Sequence, residues 1–114
     1  MISTNRMIEI RRRPKLRLLA PLVLALWSSG ASHAADMFKG GDLYATHCVA
    51  CHGASGVSSM PGTPSFARSE GLLQPDLMLL ATIKSGRNVM PAFEGVLSDR
   101  DILDVIAYLR TLMN

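Results

Sequence analysis

The sequence predicts an all-α domain of three to four helices joined by long loops. Three observations predict it. Ile102, Val105, Ile106 and Leu109, followed by Leu112 or Met113, recur at helical spacing near the C-terminus. Residues 53 to 74 are rich in Gly, Ser and Pro, and so long a loop in a small domain is expected to be wrapped around something. Between these features and the N-terminus stands Cys48-Val49-Ala50-Cys51-His52, the attachment signature of a c-type haem. The loops are therefore expected to enclose one covalently bound haem.

On a helix, positions i, i+3 and i+4 are neighbours, so Cys48, Cys51 and His52 share a face. One turn would offer two thioether bonds and an imidazole for the iron. Three other chemistries compete for a Cys-x-x-Cys pair. A thioredoxin-like redox pair needs a βαβ context, and no strand pattern surrounds these residues. A closed structural zinc site wants four ligands. Besides the two cysteines the chain offers only His33, His47 and His52, and His33 lies in a segment expected to be removed. A plain disulfide across so short a loop adds little.

That segment is residues 1–34. Arg6, Arg11, Arg12, Arg13, Lys15 and Arg17 form a basic head, Leu18 to Trp27 an uncharged apolar run, and Ser28 to Ala34 a small or polar tail. This is the order of a cleaved secretory signal peptide, with cleavage expected before Ala35. The apolar run is about half of what a membrane span requires, so no membrane span is expected in the mature form. Met7 competes with Met1 as the start.

Cleavage reverses the charge argument. The full chain carries +3, whereas residues 35–114 hold six basic side chains against eight acidic ones, a net of −2. The basic balance belongs to the leader and gives no reason to expect a nucleic-acid partner. The remaining single domain, 35–114, is short enough to need a staple for its core, and a covalent haem would provide one. Export fits too, since both thiols must meet haem before they oxidise.

The elements follow in order. Residues 37 to 51 read as the first helix, in which Gly40 marks either the helix entry or a close approach by another helix. Its cost in a helix is about 1 kcal/mol relative to alanine. His47 reads as an exposed helical residue. In the loop, Pro64 and Phe66 are candidates to pack on the haem and the His52 ring, and a carbonyl near Pro64 is a candidate acceptor for the imidazole nitrogen that does not bind iron. Pro75-Asp76 opens the next helix, with proline at its first position and an acid at its positive end. That helix runs through Leu77, Leu80, Ala81 and Ile83 to a cap at Gly86, with Met78 read as a core residue. Met90 is the expected sixth iron ligand: it follows His52 across an intervening helix, and Pro91 stiffens its loop. Met60, also followed by proline, is its rival. Pro91 and Phe93 join the expected pocket. The last helix opens on a Ser98-x-x-Asp101 capping box, and Asp99, Asp101 and Asp104 read as cap or surface acids.

From about Asp36 to Met113 the chain resembles the class I cytochromes c, small mono-haem electron carriers. Gly40-x-x-x-Tyr44-x-x-x-Cys48 is similar to the family's first helix, Asp104-Val105-Ile106-Ala107-Tyr108-Leu109 to its last, and Gly86-x-x-x-Met90-Pro91 to its methionine loop. Pro64 stands where the family's loop proline meets the histidine ligand, although Thr63 replaces the commoner glycine. The resemblance implies a last helix crossing the first near Gly40. It also implies a periplasmic single-electron carrier with one haem c, serving redox protein partners, and no catalytic residues. Two other functions compete: a haem c subunit of a larger periplasmic dehydrogenase or reductase, and a catalytic or gas-binding haem protein with an open sixth position. Only Lys39 and Lys84 remain as lysines after residue 34, so docking through a lysine-ringed face is not expected.

Overall fold

The computed structural model describes residues 33–114. The expected leader, up to Ser32, lies outside the described residues. Four helices follow in order: α1, Met37–His47; α2, Val49–His52; α3, Asp76–Ser85; and α4, Asp99–Thr111. A 3-10 turn at Phe66–Arg68 punctuates the long loop. No strand is present among the described residues, and none of their helices is long and apolar enough to cross a membrane.

The helix expected over 37–51 is two helices. Asp36 caps α1, its carboxylate accepting from the Phe38 and Lys39 amides at 3.0 and 3.1 Å. At Cys48 the backbone moves to φ −118°, ψ −30°, away from helical φ, and the chain bends into the single turn of α2. The His52 amide still bonds the Cys48 carbonyl at 3.0 Å, so one closed turn still links the two residues.

α1 and α4 cross at Gly40. A Cβ at this position would overlap the Asp104 carbonyl and press on the Val105 amide, so only glycine allows the two backbones to meet. One turn on, Tyr44 is 1% exposed and packs on Tyr108 with ring centroids 5.3 Å apart. Its hydroxyl donates to the Gly53 carbonyl at 2.6 Å, which ties α1 to the end of α2. Burial pushes the phenol up to about 12, so it remains a neutral donor.

The capping box of α4 is formed: Ser98 Oγ accepts from the Asp101 amide at 3.1 Å, and Asp101 Oδ2 accepts from the Ser98 amide at 3.0 Å. Ile102, Val105, Ile106 and Leu109 are buried in the core with Tyr44, Phe66, Leu72 and Leu79. Each such aliphatic side chain contributes about 2 kcal/mol on burial. Asp104 corrects the sequence expectation. It is no surface acid but 1% exposed, because the helix crossing covers it. Its carboxylate accepts from the Asp36 amide at 2.8 Å and pairs with Arg100 Nε at 3.2 Å, which makes its burial tolerable.

Two details of α3 also differ. Pro75 is its cap, at φ −58° and ψ 148°, rather than its first residue. Met78 is exposed at 56%, and Leu79 is the residue in the core. The segment is apolar nearly all round, so spacing alone does not choose its inner face. Contact with α4 chooses it. Arg110 of α4 then fastens the chain ahead of α3, donating to the Leu72 and Gln74 carbonyls at 2.7 and 3.1 Å and pairing with Asp76.

Candidate haem site

A cavity of about 380 Å³ lies among these helices and the long loop. Cys48, Cys51 and His52 line it, as do Met90, Pro91 and Phe93 from the segment after α3, and Pro64 and Phe66 from the long loop. Leu79, Ile83, Val105 and Leu109 contribute its apolar wall. Every site residue expected from the sequence thus meets at one cavity.

His52 is held most firmly. It is 9% exposed, and the Phe66 ring stacks on it at 4.4 Å with a 14° interplanar angle. Its Nδ1 lies 3.2 Å from the Pro64 carbonyl oxygen. A carbonyl only accepts, so Nδ1 carries the proton and Nε2 keeps its lone pair. Burial pulls the imidazole below its ordinary pKa, and the Pro64 bond opposes this. The result favours the neutral ring, the form that ligates metals. The acceptor expected near Pro64 is the carbonyl of Pro64 itself.

Cys48 and Cys51 are unbridged and half-buried. Burial pushes the Cys48 thiol up to about 11, with Cys51 adding to the effect.

The Met90 segment is built by local hydrogen bonds. Arg87 and Met90 exchange amide–carbonyl bonds at 3.1 and 2.9 Å, with Asn88 at φ +54°. The Phe93 amide returns to the Ile83 and Lys84 carbonyls at 3.2 and 3.1 Å. Gly86, at φ +73°, caps α3 and also leaves room for this return: a Cβ there would lie 2.7 Å from the Met90 carbonyl oxygen and the Ala92 amide. Met60 lines the same cavity from a looser setting. It is 40% exposed, and its backbone is tied mainly to the Ser58 hydroxyl. Met90 is half-buried.

Sequence reasoning missed three ionisable side chains at the cavity. His47 is exposed, as expected, yet it lies at the cavity with its ring edge-on to Phe93 at 6.0 Å. Arg87 and Glu70 also line the cavity. Glu70 and Arg87 look like ordinary surface residues in sequence and reach the cavity through the folding of their loops, whereas His47 stands next to Cys48 in the chain. The residue set fits a haem c: two unbridged thiols and an imidazole with a free Nε2 on one turn, a thioether on a braced loop, and an apolar wall.

Comparison with known proteins points the same way. The family described as "Cytochrome C oxidase, cbb3-type, subunit III" matches residues 35–109. The chain is 38% identical to cytochrome c4 of Pseudomonas aeruginosa over 81% of its own length, but spans only 46% of that relative. It is 36% identical to cytochrome c6 of Gracilaria tenuistipitata var. liui, covering 67% of this chain and 72% of the relative. The solved structure of cytochrome c6 from the diatom Phaeodactylum tricornutum aligns with a TM-score of 0.58 at 28% identity, over 68% of this chain and 93% of that one.

Proposed function

Because the chain belongs to the class I mono-haem c-type cytochromes, we propose that it carries single electrons between redox proteins. In this reading Cys48 and Cys51 would hold the haem c, and His52 and Met90 would ligate its iron. The observation that carries it is the convergence of these four side chains on one cavity, with the His52 ring oriented by Pro64 and Phe66. Haem c would supply the iron couple, and a methionine thioether bound to the iron would raise its potential.

The protein's contribution is to fix the ligands and keep water away. The Pro64 bond sets the tautomer of His52 and Phe66 sets its plane. The braced segment 87–93 holds Met90, and the apolar wall lowers the local dielectric. No side chain is asked to move a proton, so the proposal is a carrier and not an enzyme. We place the mature domain at residues 35–114 and its work in the periplasm, on the strength of the leader-like segment 1–34. Its partners are redox proteins. Optical spectra, oxidised and reduced, with and without carbon monoxide, test the proposal. A Met-to-iron charge-transfer band and no carbon monoxide binding are expected. Ready binding to the native reduced protein would instead establish an open sixth position.

A second reading is favoured by the family description, which names an oxidase subunit: the domain works within a larger redox assembly. Gel filtration of native extract separates the two. A haem peak at the mass of the single domain supports the free carrier, and one found only at high mass supports the subunit.

A further inference from the structure

We propose that Glu70 is a positioning residue that tunes the haem iron through the Pro64–Ser65 peptide bond, an inference that rests on His52 being an iron ligand. One peptide group is hydrogen-bonded at both ends. Its carbonyl oxygen accepts from His52 Nδ1 at 3.2 Å, and its N–H donates to Glu70 Oε2 at 2.7 Å. Amide resonance couples these two ends. An anionic acceptor on the N–H makes a strong, charge-assisted bond and shifts electron density toward the carbonyl oxygen, so bonds in such a chain strengthen one another. A stronger acceptor on Nδ1–H makes the imidazole a more electron-rich ligand. That favours Fe(III) and lowers the potential.

The peptide is held in place for this role. Ser65 is fully buried. Its hydroxyl donates to the Gly56 carbonyl at 3.1 Å, and its own carbonyl accepts from the Arg68 and Glu70 amides at 3.1 and 3.2 Å. The second carboxylate oxygen of Glu70 accepts from Arg68 Nε at 2.8 Å. This pair draws charge away from the peptide, so Arg68 opposes Glu70. Glu70 also closes the 3-10 turn by holding the Ser65 amide, and a residue with that role alone would affect stability without affecting the iron.

Three variants of the haem-loaded protein separate the possibilities: E70Q, E70D and R68Q. E70Q removes the charge. E70D keeps the charge but shortens the reach to the Ser65 amide. The readouts are the midpoint potential, the melting temperature and the proton resonances of the His52 ring in the reduced protein. E70Q and E70D are both expected to raise the potential. At fixed ambient potential, the reduced-to-oxidised ratio should rise about threefold, corresponding to part of one hydrogen bond's net contribution. The His52 Nδ1–H resonance should move upfield as its hydrogen bond weakens. R68Q, a surface change, should move both readouts the other way. An E70D protein with the wild-type potential would show that charge acts through space and would overturn the relay. A fall in melting temperature with potential and Nδ1–H unmoved would reduce Glu70 to a turn cap. His52 ring protons without a haem ring-current shift would defeat His52 ligation itself, an outcome distinct from either failure of the relay.

Discussion

At the scale of the residue, the proposed methionine ligand is one of two methionines that share a cavity and a following proline. Met90 is the better placed, because its backbone is fastened to Arg87 and its loop returns to the end of α3. A ligand held by a rigid loop loses little entropy on binding, whereas Met60 is more exposed and less tied down. Met90→Ala is expected to abolish the Met-to-iron charge-transfer band, lower the potential and let carbon monoxide bind. Met60→Ala should leave the band intact. The reverse pattern would exchange their roles. At Cys48 and Cys51, either alanine variant should lose one thioether link. The double variant should hold no covalent haem, which denaturing electrophoresis with haem staining would show.

At the scale of the element, the α1–α4 crossing depends on the absence of a side chain at Gly40. Gly40→Ala would force a Cβ into the Asp104 carbonyl, at a cost of about 3 kcal/mol. In a domain of this size that is a fall in melting temperature of roughly 10 °C or more. Gly62→Ala makes a useful contrast. Nothing surrounds that position, although its φ is +77°, so only the backbone penalty of about 1 kcal/mol applies. The ends of the same two helices are joined by Lys39 and Asp101. The Lys39 hydrogen bond, and then that of the Ser98 hydroxyl, hold the Asp101 carboxyl down at about 2, below its ordinary 3.8. A carboxyl depressed by folding stabilises above its unfolded pKa and loses that contribution as pH falls through the folded value. The melting temperature of Asp101→Asn should therefore lie below wild type at neutral pH. The difference should shrink from about pH 4 downward and nearly vanish near pH 2. A difference that stayed constant across this range would show that the cap geometry, and not the charge, matters.

At the scale of the whole molecule, the domain has one core, and a cavity of about 380 Å³ is built into it. A chain this short has little stability to spare, so filling the cavity is part of folding. Expression without haem attachment is expected to give a chain lacking cooperative thermal unfolding, measurable by circular dichroism, whereas the haem-loaded protein should melt in one transition. A sharp transition of the haem-free chain near that of the loaded protein would show that the polypeptide core suffices. The charged side chains are mostly occupied with one another: among the described residues, every lysine and arginine except Arg87 has an acidic partner. With a net charge of −2 over residues 35–114, association with partners should respond only weakly to ionic strength.

Much of this was legible in the sequence because it is written in short-range patterns. The Cys48-x-x-Cys51-His52 spacing, the Ser98-x-x-Asp101 box, the Gly86 stop and the apolar period of α4 each depend on residues within a turn or two. Local backbone geometry determines what such residues can do together, so they fixed the helical class, the haem and the candidate ligands. The inner face of α3 and the burial of Asp104 were not legible. Each depends on which distant segment packs alongside. The apolar sequence of α3 offers no preferred face, and an acid such as Asp104 reads as solvated until a helix end covers it. Local sequence thus determined the chemistry this protein carries. Only the tertiary packing decided what surrounds that chemistry, because burial and hydrogen-bond partners are set between segments far apart in the chain.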